Sequence, residues 1–409
     1  MLESRCAMHL THLSLTNFRN YVRLETQLPL GATLLVGANA QGKTSFLEAV
    51  YYLTSATSPH ASNDRQLIHF LALHETPAFA RLAAELRRGG RPQRIEIRLI
   101  LEPSAGGGDQ RLRKEVLVNG VQRRVHDLAG VFNAVLFQPQ DLVVIEGPPG
   151  ERRRFLDSAI GQADAAYADA VAEYGKVLTQ RNALLKQLQE QENDADQLEF
   201  WDEQMCELGS SIMRARAMAL IELERLAVPI HQEMTRGKET LRVEYLPAFA
   251  PETRPEGQLG LPLPLSADWT AVSRESIRAG MREALQRARR DEIARGMTTL
   301  GPQRDEMRLT ANGIDLRYYG SRGQNRTAML SLKLAELEWL QGRTGEPPVL
   351  LLDEVLAELD AERRRDMLGR LQSVHQAILT AADLDMFNAD FREQATIWHI
   401  VAGTIRPPG

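Results

Sequence analysis

Hydrophobic and polar residues alternate at the start of the chain, and this pattern predicts β-strands. Residues 10–15 read Leu-Thr-His-Leu-Ser-Leu, and a second run at 22–28 is expected to pair with them as a hairpin. An apolar strand at 32–36 then leads into a glycine-rich turn and a helical stretch at 43–52. Alternation returns at 95–101, so the first part of the chain combines strands with a helix.

Farther along, the hydrophobic residues take a helical period. The positions that step alternately by three and four are Leu198, Trp201, Met205, Leu208, Ile212, Ala215 and Ala219. We expect two helices of about 30 residues each between 164 and 227, folded as an antiparallel hairpin. Five prolines predict an irregular loop after them: Pro247, Pro251, Pro255, Pro262 and Pro264.

Strands return toward the C-terminus, at 349–352, 377–380 and 397–405. The two ends of the chain are therefore expected to form one α/β domain that is interrupted by a mainly helical insertion. We predict a head, lobe I, of residues 1–140 and 301–409, and a helical insertion or arm, lobe II, of residues 141–300.

Composition narrows the class of protein. The 409 residues are 43% hydrophobic and 25% charged, which is ordinary for a globular protein and excludes disordered and collagen-like chains. Two cysteines, Cys6 and Cys206, cannot build a disulfide framework or a zinc site, which fits a reducing cytoplasm. No apolar run approaches the roughly 18 residues of a membrane helix, so no membrane contact is expected. We expect Met8 to be the natural start and residues 1–7 to be frayed.

Charge is distributed unevenly. The net charge is −5, so the chain as a whole is not basic. The segment 81–124 holds eleven Arg and Lys residues against five Asp and Glu residues, a local excess of +6. Such a surface suits DNA phosphates, although a basic stretch can also be a simple solvated face.

The turn after the third strand carries a phosphate-binding motif. Residues 37–44 fit G-x-x-x-x-G-K-[ST], follow a strand and open a helix. Glycines let backbone N–H groups converge on phosphate oxygens, and the helix N-terminus adds the positive end of its dipole. Lys43 is expected to neutralise the β- and γ-phosphates of ATP, and Thr44 to give its hydroxyl to Mg²⁺. The predicted cofactor-binding residues here are Gly37, Ala38, Asn39, Ala40, Gln41, Gly42, Lys43, Thr44 and Ser45.

A second strand supplies acidic groups. The apolar run at 349–352 ends in Asp353 and Glu354, as the metal site beside a P-loop requires. Asp353 is expected to hold the metal through water. Glu354 is expected to orient or deprotonate the attacking water, which makes it, with Lys43, the predicted catalytic pair.

The long separation of Gly37 from Asp353 resembles the ABC-type ATPases whose halves are split by an arm, as in SMC-like DNA repair proteins. In that comparison Ser321, Gly323 and Gln324 resemble the ABC signature, which is offered to the γ-phosphate held by another subunit. The same motif alone could be a helix cap. Asp360 is similar to the D-loop residue at the dimer seam, and it too could be an ordinary N-cap.

The resemblance extends to the remaining parts of an ABC site. Gln138 lies where a Q-loop glutamine would bind Mg²⁺ and sense the γ-phosphate, and Gln140 competes for that role. The switch histidine that many ABC ATPases carry after the last core strand is absent. Thr380 or Asp383 would have to take its place.

Six segments together resemble the RecF family of bacterial DNA replication and repair proteins, from Met8 to about Ile405. They occur in the family's order at 17–21, 37–44, 137–142, 301–306, 321–326 and 350–360. The family usually shows G-P-H-R-D-D where this chain has Gln303 and Glu306, so a role for that histidine does not carry over. Arg304 and Asp305 of the same motif could simply form internal ion pairs.

The resemblance implies a fold and a function. It implies a two-lobed ABC head, an ATP-dependent homodimer, and binding to double-stranded, gapped or junction DNA in the ATP state. It further implies weak DNA-dependent ATP hydrolysis, partnership with RecR and RecO in loading RecA, and a part in the SOS response. Arg19 would contact the nucleotide beside the P-loop.

Three hypotheses remain open from the sequence. The chain could be an ATPase whose turnover is its output, an ATP-switched DNA clamp in which hydrolysis resets the dimer, or a transporter-type engine that acts through another partner. The basic segment at 81–124 argues against the transporter-type engine.

Overall fold

The computed structural model of the chain describes residues 7–103, 110–190, 195–249, 269–371 and 374–406. Met1, Cys6 and four of the loop prolines lie outside the described residues. The strands are β1 (His9–Phe18), β2 (Tyr21–Gln27), β3 (Gly31–Val36), β4 (Ala78–Arg88), β5 (Arg91–Pro103), β6 (Gln110–Val118), β7 (Val121–Arg123), β8 (Ala134–Phe137), β9 (Leu241–Leu246), β10 (Glu306–Ala311), β11 (Ile314–Asp315), β12 (Val349–Asp353), β13 (Gln376–Ala381), β14 (Thr396–Val401) and β15 (Thr404–Arg406). The helices are α1 (Lys43–Ser55), α2 (Val143–Glu146), α3 (Pro149–Ala163), α4 (Ala165–Glu190), α5 (Leu198–Met234), α6 (Arg274–Arg295), α7 (Leu316–Tyr319), α8 (Arg322–Thr344), α9 (Ala361–Leu371) and α10 (Ala389–Gln394).

The chain divides into two units. The head unit comprises Met1–Asp141 and Glu336–Gly409, and the arm unit comprises Leu142–Ala335. The sequence predicts residues 301–335 in the head, whereas in the structure they belong to the arm unit. The physical reason is strand pairing, because β10 pairs antiparallel with β9 along its whole length and so joins this segment to the arm.

One sheet of the head unit is mainly parallel and has the order β15-β14-β3-β13-β12-β8. Its central strands β12 and β13 are buried throughout, as expected for parallel strands covered on both faces. In β13, Thr380 lies opposite Asp353 of β12 and Ala381 lies opposite Val36 of β3. The carboxyl ends of three strands therefore meet at one edge, where α/β sheets place their ligands.

The second sheet of the head unit is antiparallel, with the order β2-β1-β4-β5-β6-β7. One face carries apolar side chains such as Leu13, Leu82 and Ile97, and these join one core with Phe46 of α1 and Ile378 of β13. The predicted hairpin of residues 10–15 and 22–28 is confirmed as β1 and β2.

The C-terminal strand prediction is wrong in one respect. The run at 397–405 forms a hairpin of β14 and β15 rather than one strand. Its two-residue turn, Ala402 and Gly403, has positive φ values of 48° and 70°, as a tight hairpin turn requires.

The arm unit contains the predicted helical pair. Helix α4 has 26 residues and α5 has 37, and the two pack against each other. A three-stranded sheet of order β11-β10-β9 completes this unit. Within the described part of the chain, no helix is long and apolar enough to cross a membrane.

Candidate nucleotide-binding site

The phosphate-binding turn joins β3 to α1, at the carboxyl edge of the parallel sheet. Two of its glycines lie where a residue with a side chain would clash. A Cβ at Gly37 would lie 2.5 Å from the carbonyl oxygen of Ile400, and one at Gly42 would lie 2.6 Å from Nδ2 of Asn20. Gly42 also has a φ of 116°, which L side chains rarely adopt.

Neighbouring segments hold the turn in place. The Nδ2 of Asn20 donates to the carbonyl of Gln41 at 3.0 Å, and the hydroxyl of Tyr21 donates to the carbonyl of Gly42 at 3.0 Å. Burial raises the pKa of Tyr21, so the hydroxyl keeps its proton for this bond. The backbone N–H of Gly403 donates to the carbonyl of Gln41 at 2.9 Å. These contacts give a structural role to the segment 17–21 that the sequence singled out only by resemblance.

Lys43 begins α1 and its ammonium lies inside the turn, with the side chain 4% exposed. The Nζ donates to the carbonyls of Gly37 at 2.6 Å and Ala38 at 3.2 Å. It also lies 3.1 Å from a carboxylate oxygen of Glu354. The two predicted catalytic residues are therefore in direct contact.

Thr44, Asp353 and Thr380 form a compact group of oxygen atoms. The hydroxyl of Thr44 donates to Asp353 at 2.9 Å, although 309 residues separate the two in the chain. The hydroxyl of Thr380 donates to Asp353 at 2.7 Å and accepts the backbone N–H of Glu354 at 2.9 Å. Oxygen ligands of this kind suit Mg²⁺, which prefers a few protein groups together with substrate phosphates and water.

Glu354 stands in a strained backbone position. Its φ of 54° is left-handed, an uncommon conformation for a residue other than glycine. The bond from its N–H to Thr380 holds that conformation. Of the two candidates for the missing switch histidine, Thr380 therefore lies within the site's hydrogen-bond network, whereas Asp383 is exposed and accepts from the N–H of Asp385.

Gln138 follows β8, the strand next to β12. Its side-chain Oε1 is buried and has no hydrogen-bond partner within the described part of the chain. A buried amide oxygen without a partner is costly and marks a place where a ligand or ion would be satisfied. Gln140, the competing candidate, is exposed. The oxygen atoms of Gln138, Thr44 and Asp353 are thus of the kind that suits Mg²⁺.

Arg19, predicted to contact nucleotide, is held by Glu48 of α1. Its Nε and one terminal nitrogen donate to the two oxygens of this buried carboxylate at 2.8 and 2.7 Å. Sequence reasoning missed Glu48, although it lies on the helix that follows the phosphate-binding turn. Its only sequence signal was an acidic residue within an otherwise apolar stretch.

The residues Ser321–Gln324, here called the signature turn, open α8 in the arm unit. The N–H of Gln324 donates to the Ser321 hydroxyl at 3.2 Å, and the N–H of Ser321 donates to Oε1 of Gln324 at 2.9 Å. This is a reciprocal helix cap, so the capping interpretation describes this structure. Ser321, Arg322 and Gly323 are exposed. A role in nucleotide binding stays a prediction.

Asp360 also caps a helix. Its carboxylate accepts the N–H of Arg363 at 2.9 Å at the start of α9, and it lies 3.4 Å from the Arg363 guanidinium. The structure therefore shows the N-cap alternative, and the D-loop role stays a prediction.

The acidic residues of the 301–306 motif have partners other than Arg304. Burial raises the pKa of Asp305, which accepts from the Tyr245 hydroxyl and lies 3.7 Å from Arg216. Arg304 instead donates to the carbonyl of Thr298. Arg304 and Asp305 are thus bonded within the arm unit to residues outside the motif, and they do not pair with each other.

Acidic neighbours neutralise part of the basic segment at 81–124. Glu96 lies within 3.2 Å of Arg81, Arg94 and Arg98. Hydrogen bonds from Arg81 and Arg98 lower the pKa of Glu96 to about 2. In contrast, Arg87, Arg88, Arg91 and Arg123 form no ion pair with any described residue, and most of this group is exposed.

The sequence of the chain matches a known family model and known relatives. The model of the RecF/RecN/SMC N terminal domain family matches residues 9–402. The chain is 40% identical to the DNA replication and repair protein RecF of Chloroflexus aurantiacus, over 97% of this chain and 99% of that protein. It is 39% identical to that of Roseiflexus castenholzii, over 98% and 100%.

The structure of the chain is similar to solved structures of the same family. The chain is 30% identical to the recombination mediator protein RecF of the RecFOR pathway in its ATP form, with a TM-score of 0.82 over 98% of both chains. The corresponding RecF-ATPrS structure is 29% identical, with a TM-score of 0.83 over 99% of both chains. The fold is therefore that of an ABC-type ATPase head with an inserted arm.

Proposed function

This chain belongs to the RecF family within the RecF/RecN/SMC N-terminal domain proteins, and we propose that it acts in DNA repair as an ATP-switched DNA clamp. Mg²⁺-ATP bound at Lys43 and Thr44 brings two copies together, and the signature turn of each copy closes the site of the other. Hydrolysis then releases the dimer. The family's ATP binding and hydrolysis supply the chemistry for this cycle.

The observation that carries the proposal is the environment of Gly323. Among the described residues, an added Cβ at Gly323 meets nothing within 4 Å beyond its chain neighbours and the backbone of its own helix, and Gly323 has no positive φ. Glycine in a helix lowers helix stability relative to alanine, and Gly323 lies at the N-terminus of α8, where helices bind anions, whereas the equally open Gly342 lies in the last turn. Close approach of a phosphate group from a second copy supplies a reason for glycine at this position.

In the proposed site the chain's own residues bind, orient and hold protons. Thr44, Asp353 and Gln138 would hold Mg²⁺, which would neutralise phosphate charge when bound. Lys43 leaves the carbonyls of its turn for the phosphates, which releases Glu354 to orient the attacking water. Arg19 reaches the nucleotide only after its bonds to Glu48 are exchanged.

We favour the clamp over the engine because the likeness of the chain to RecF, a recombination mediator, supports DNA binding as the output. Glu354→Gln separates the two cases. In a clamp, the variant dimerises more firmly and stays longer on DNA. In an engine, whose output is ATP turnover, the variant loses that output.

DNA is the proposed macromolecular partner, with arginines at the β4–β5 hairpin and in β7 as contacts. Arg87, Arg88, Arg91 and Arg123 support this because no carboxylate of the described chain neutralises them. Planar guanidinium groups match phosphate oxygens. If these contacts dominate, the logarithm of affinity falls linearly with the logarithm of salt concentration, and a flat response removes the idea.

The proposed setting is the cytoplasm, at single-strand gaps or junctions of double-stranded DNA. There RecR would be the direct protein partner, and RecO and RecA would act with it indirectly in loading RecA. Membership in the family supports these partners, as does the likeness to a RecF-ATP structure whose protein is a recombination mediator in the RecFOR pathway.

Light scattering and DNA binding measured side by side test the proposal, in ATP, in ADP and without nucleotide. The parent chain should dimerise and bind gapped DNA most tightly in Mg²⁺-ATP, and Lys43→Met should do neither. DNA binding that is equal in all three states would contradict the switch. Monomers in saturating Mg²⁺-ATP with DNA present would contradict the dimer.

A further inference from the structure

Side chains of the arm unit hold the signature turn in place through hydrogen bonds. The Nε2 of Gln324 donates to Oε1 of Glu239 at 3.0 Å. The other carboxylate oxygen of Glu239 lies 3.2 Å from Nε2 of His231. His231 is fully buried and Glu239 is 18% exposed. Gln324, which forms the reciprocal cap with Ser321, is therefore held by the carboxylate of Glu239. The second oxygen of that carboxylate contacts His231.

The chemistry of these groups sets the direction of each bond. An ionised carboxylate accepts hydrogen bonds and cannot donate, so the Nε2 of His231 carries a proton and donates to Glu239. For the same reason the amide of Gln324 must turn its nitrogen toward Glu239. Its oxygen is then left to accept the N–H of Ser321. Glu239 thus determines which way the amide of Gln324 faces.

The anchoring reaches a second point on the same helix. The Nδ1 of His231 lies 3.3 Å from the hydroxyl of Ser331, which donates to the carbonyl of Thr327 at 2.7 Å. Gln324 and Ser331 are seven residues apart, so they lie on the same face of α8, about two turns from each other. Glu239 and His231 therefore contact α8 at two points, Gln324 in its first turn and Ser331 in its third.

We propose that Glu239 is a positioning residue for the signature turn: it fixes the amide of Gln324, and through it Ser321, in the arrangement that a second copy's nucleotide requires. His231 holds Glu239 in turn. This inference rests on the proposed function, because it concerns how the turn meets the nucleotide of another copy. Glu239 itself contacts no nucleotide.

Glu239→Ala is the first test. The variant loses the hydrogen bond from Gln324 to a charged carboxylate. Because such bonds contribute more free energy than neutral ones, Mg²⁺-ATP-dependent dimerisation should weaken about tenfold to one hundredfold. The affinity of each copy for ATP at its own phosphate-binding turn should stay within twofold of the parent's affinity. The matched control is Glu224→Ala, which removes another half-buried arm-unit glutamate that pairs with Arg242 at 3.4 Å. The control should dimerise like the parent.

A reciprocal swap separates positioning from general loss of stability. Gln324→Glu alone sets two carboxylates against each other, and Glu239→Gln alone sets an amide N–H₂ group against another donor. Both single variants should weaken dimerisation. In the double variant the amide at 239 donates to the carboxylate at 324, and its oxygen still accepts from His231. Dimerisation should therefore recover at least tenfold relative to Gln324→Glu alone.

Dimer dissociation constants from sedimentation, with thermal unfolding of each variant alongside, decide the outcome. The inference is overturned if Glu239→Ala dimerises like the Glu224→Ala control, or if the swap is no better than Gln324→Glu alone. A parent chain that stays monomeric in saturating Mg²⁺-ATP overturns the proposed function, and this inference falls with it. A parent that dimerises while Glu239→Ala matches it overturns the inference alone.

Discussion

Gly323→Ala should stabilise the chain and yet weaken its dimerisation. Gly323 lies in the first turn of α8, where an added methyl group meets no other described part of the chain within 4 Å, its own helix backbone aside. Alanine in a helix is more stable than glycine by about 0.5–1 kcal/mol, so the free energy of unfolding should rise. In the closed dimer the same methyl group meets the partner's nucleotide. Overpacking costs about 1–3 kcal/mol per site, and a symmetric dimer contains two sites. Dimerisation should therefore weaken about thirtyfold or more.

The matched control lies in the same helix. Gly342 also belongs to α8, and a Cβ there likewise meets nothing within 4 Å. Gly342→Ala should raise stability by a similar amount and leave dimerisation unchanged. Urea unfolding and sedimentation in Mg²⁺-ATP measure the two effects on the same samples. The reasoning is refuted if Gly323→Ala dimerises as well as Gly342→Ala, or if Gly323→Ala destabilises the chain without nucleotide.

Three further predictions concern the head and arm units separately. Thr380→Val removes the hydroxyl that joins Asp353 to the N–H of Glu354, so urea unfolding should show a loss of about 2–4 kcal/mol, and an unchanged midpoint would contradict the network. The pKa of Glu96 is lowered to about 2 from 4.5, so its stabilising effect is complete above pH 4.5 and is lost as pH falls toward 2. Parent and Glu96→Gln should therefore converge in stability across that interval, and parallel curves would contradict the ion pairs. Burial raises the pKa of Cys206 to about 12, so in a Cys6→Ser chain a thiol reagent at pH 8 should label it only in urea, and rapid labelling of that native chain would contradict its burial.

Much of the nucleotide site could be predicted because its signals are local. The P-loop pattern fixes a strand, a turn and a helix within a few residues, and the apolar run before Asp353 indicates a buried parallel strand. The structure brings these two regions together through the bond from Thr44 to Asp353, and the roles of both residues at Mg²⁺ stay predictions.

The remaining features depend on contacts that a local pattern does not contain. Residues 301–335 belong to the arm unit because β10 pairs with β9, about 60 residues earlier in the chain. Glu239 and Gln324 are 85 residues apart, so neither position predicts the other. In contrast, the ion pairs of Glu96 were within reach of the sequence. Arg94 and Arg98 lie two residues to either side of it in a strand, and so share its face.

The central claim is that each site is completed by a second copy, and a mixing experiment tests it most directly. One variant carries Lys43→Met and keeps its signature turn. The other carries Ser321→Arg with Glu354→Gln, and so keeps Lys43 in a site that hydrolyses slowly. Sedimentation in Mg²⁺-ATP should show monomers for each variant alone and heterodimers in the mixture, because the mixed pair contains one intact site. Dimers formed by either variant alone, or a mixture that stays monomeric while the parent dimerises, would contradict the account.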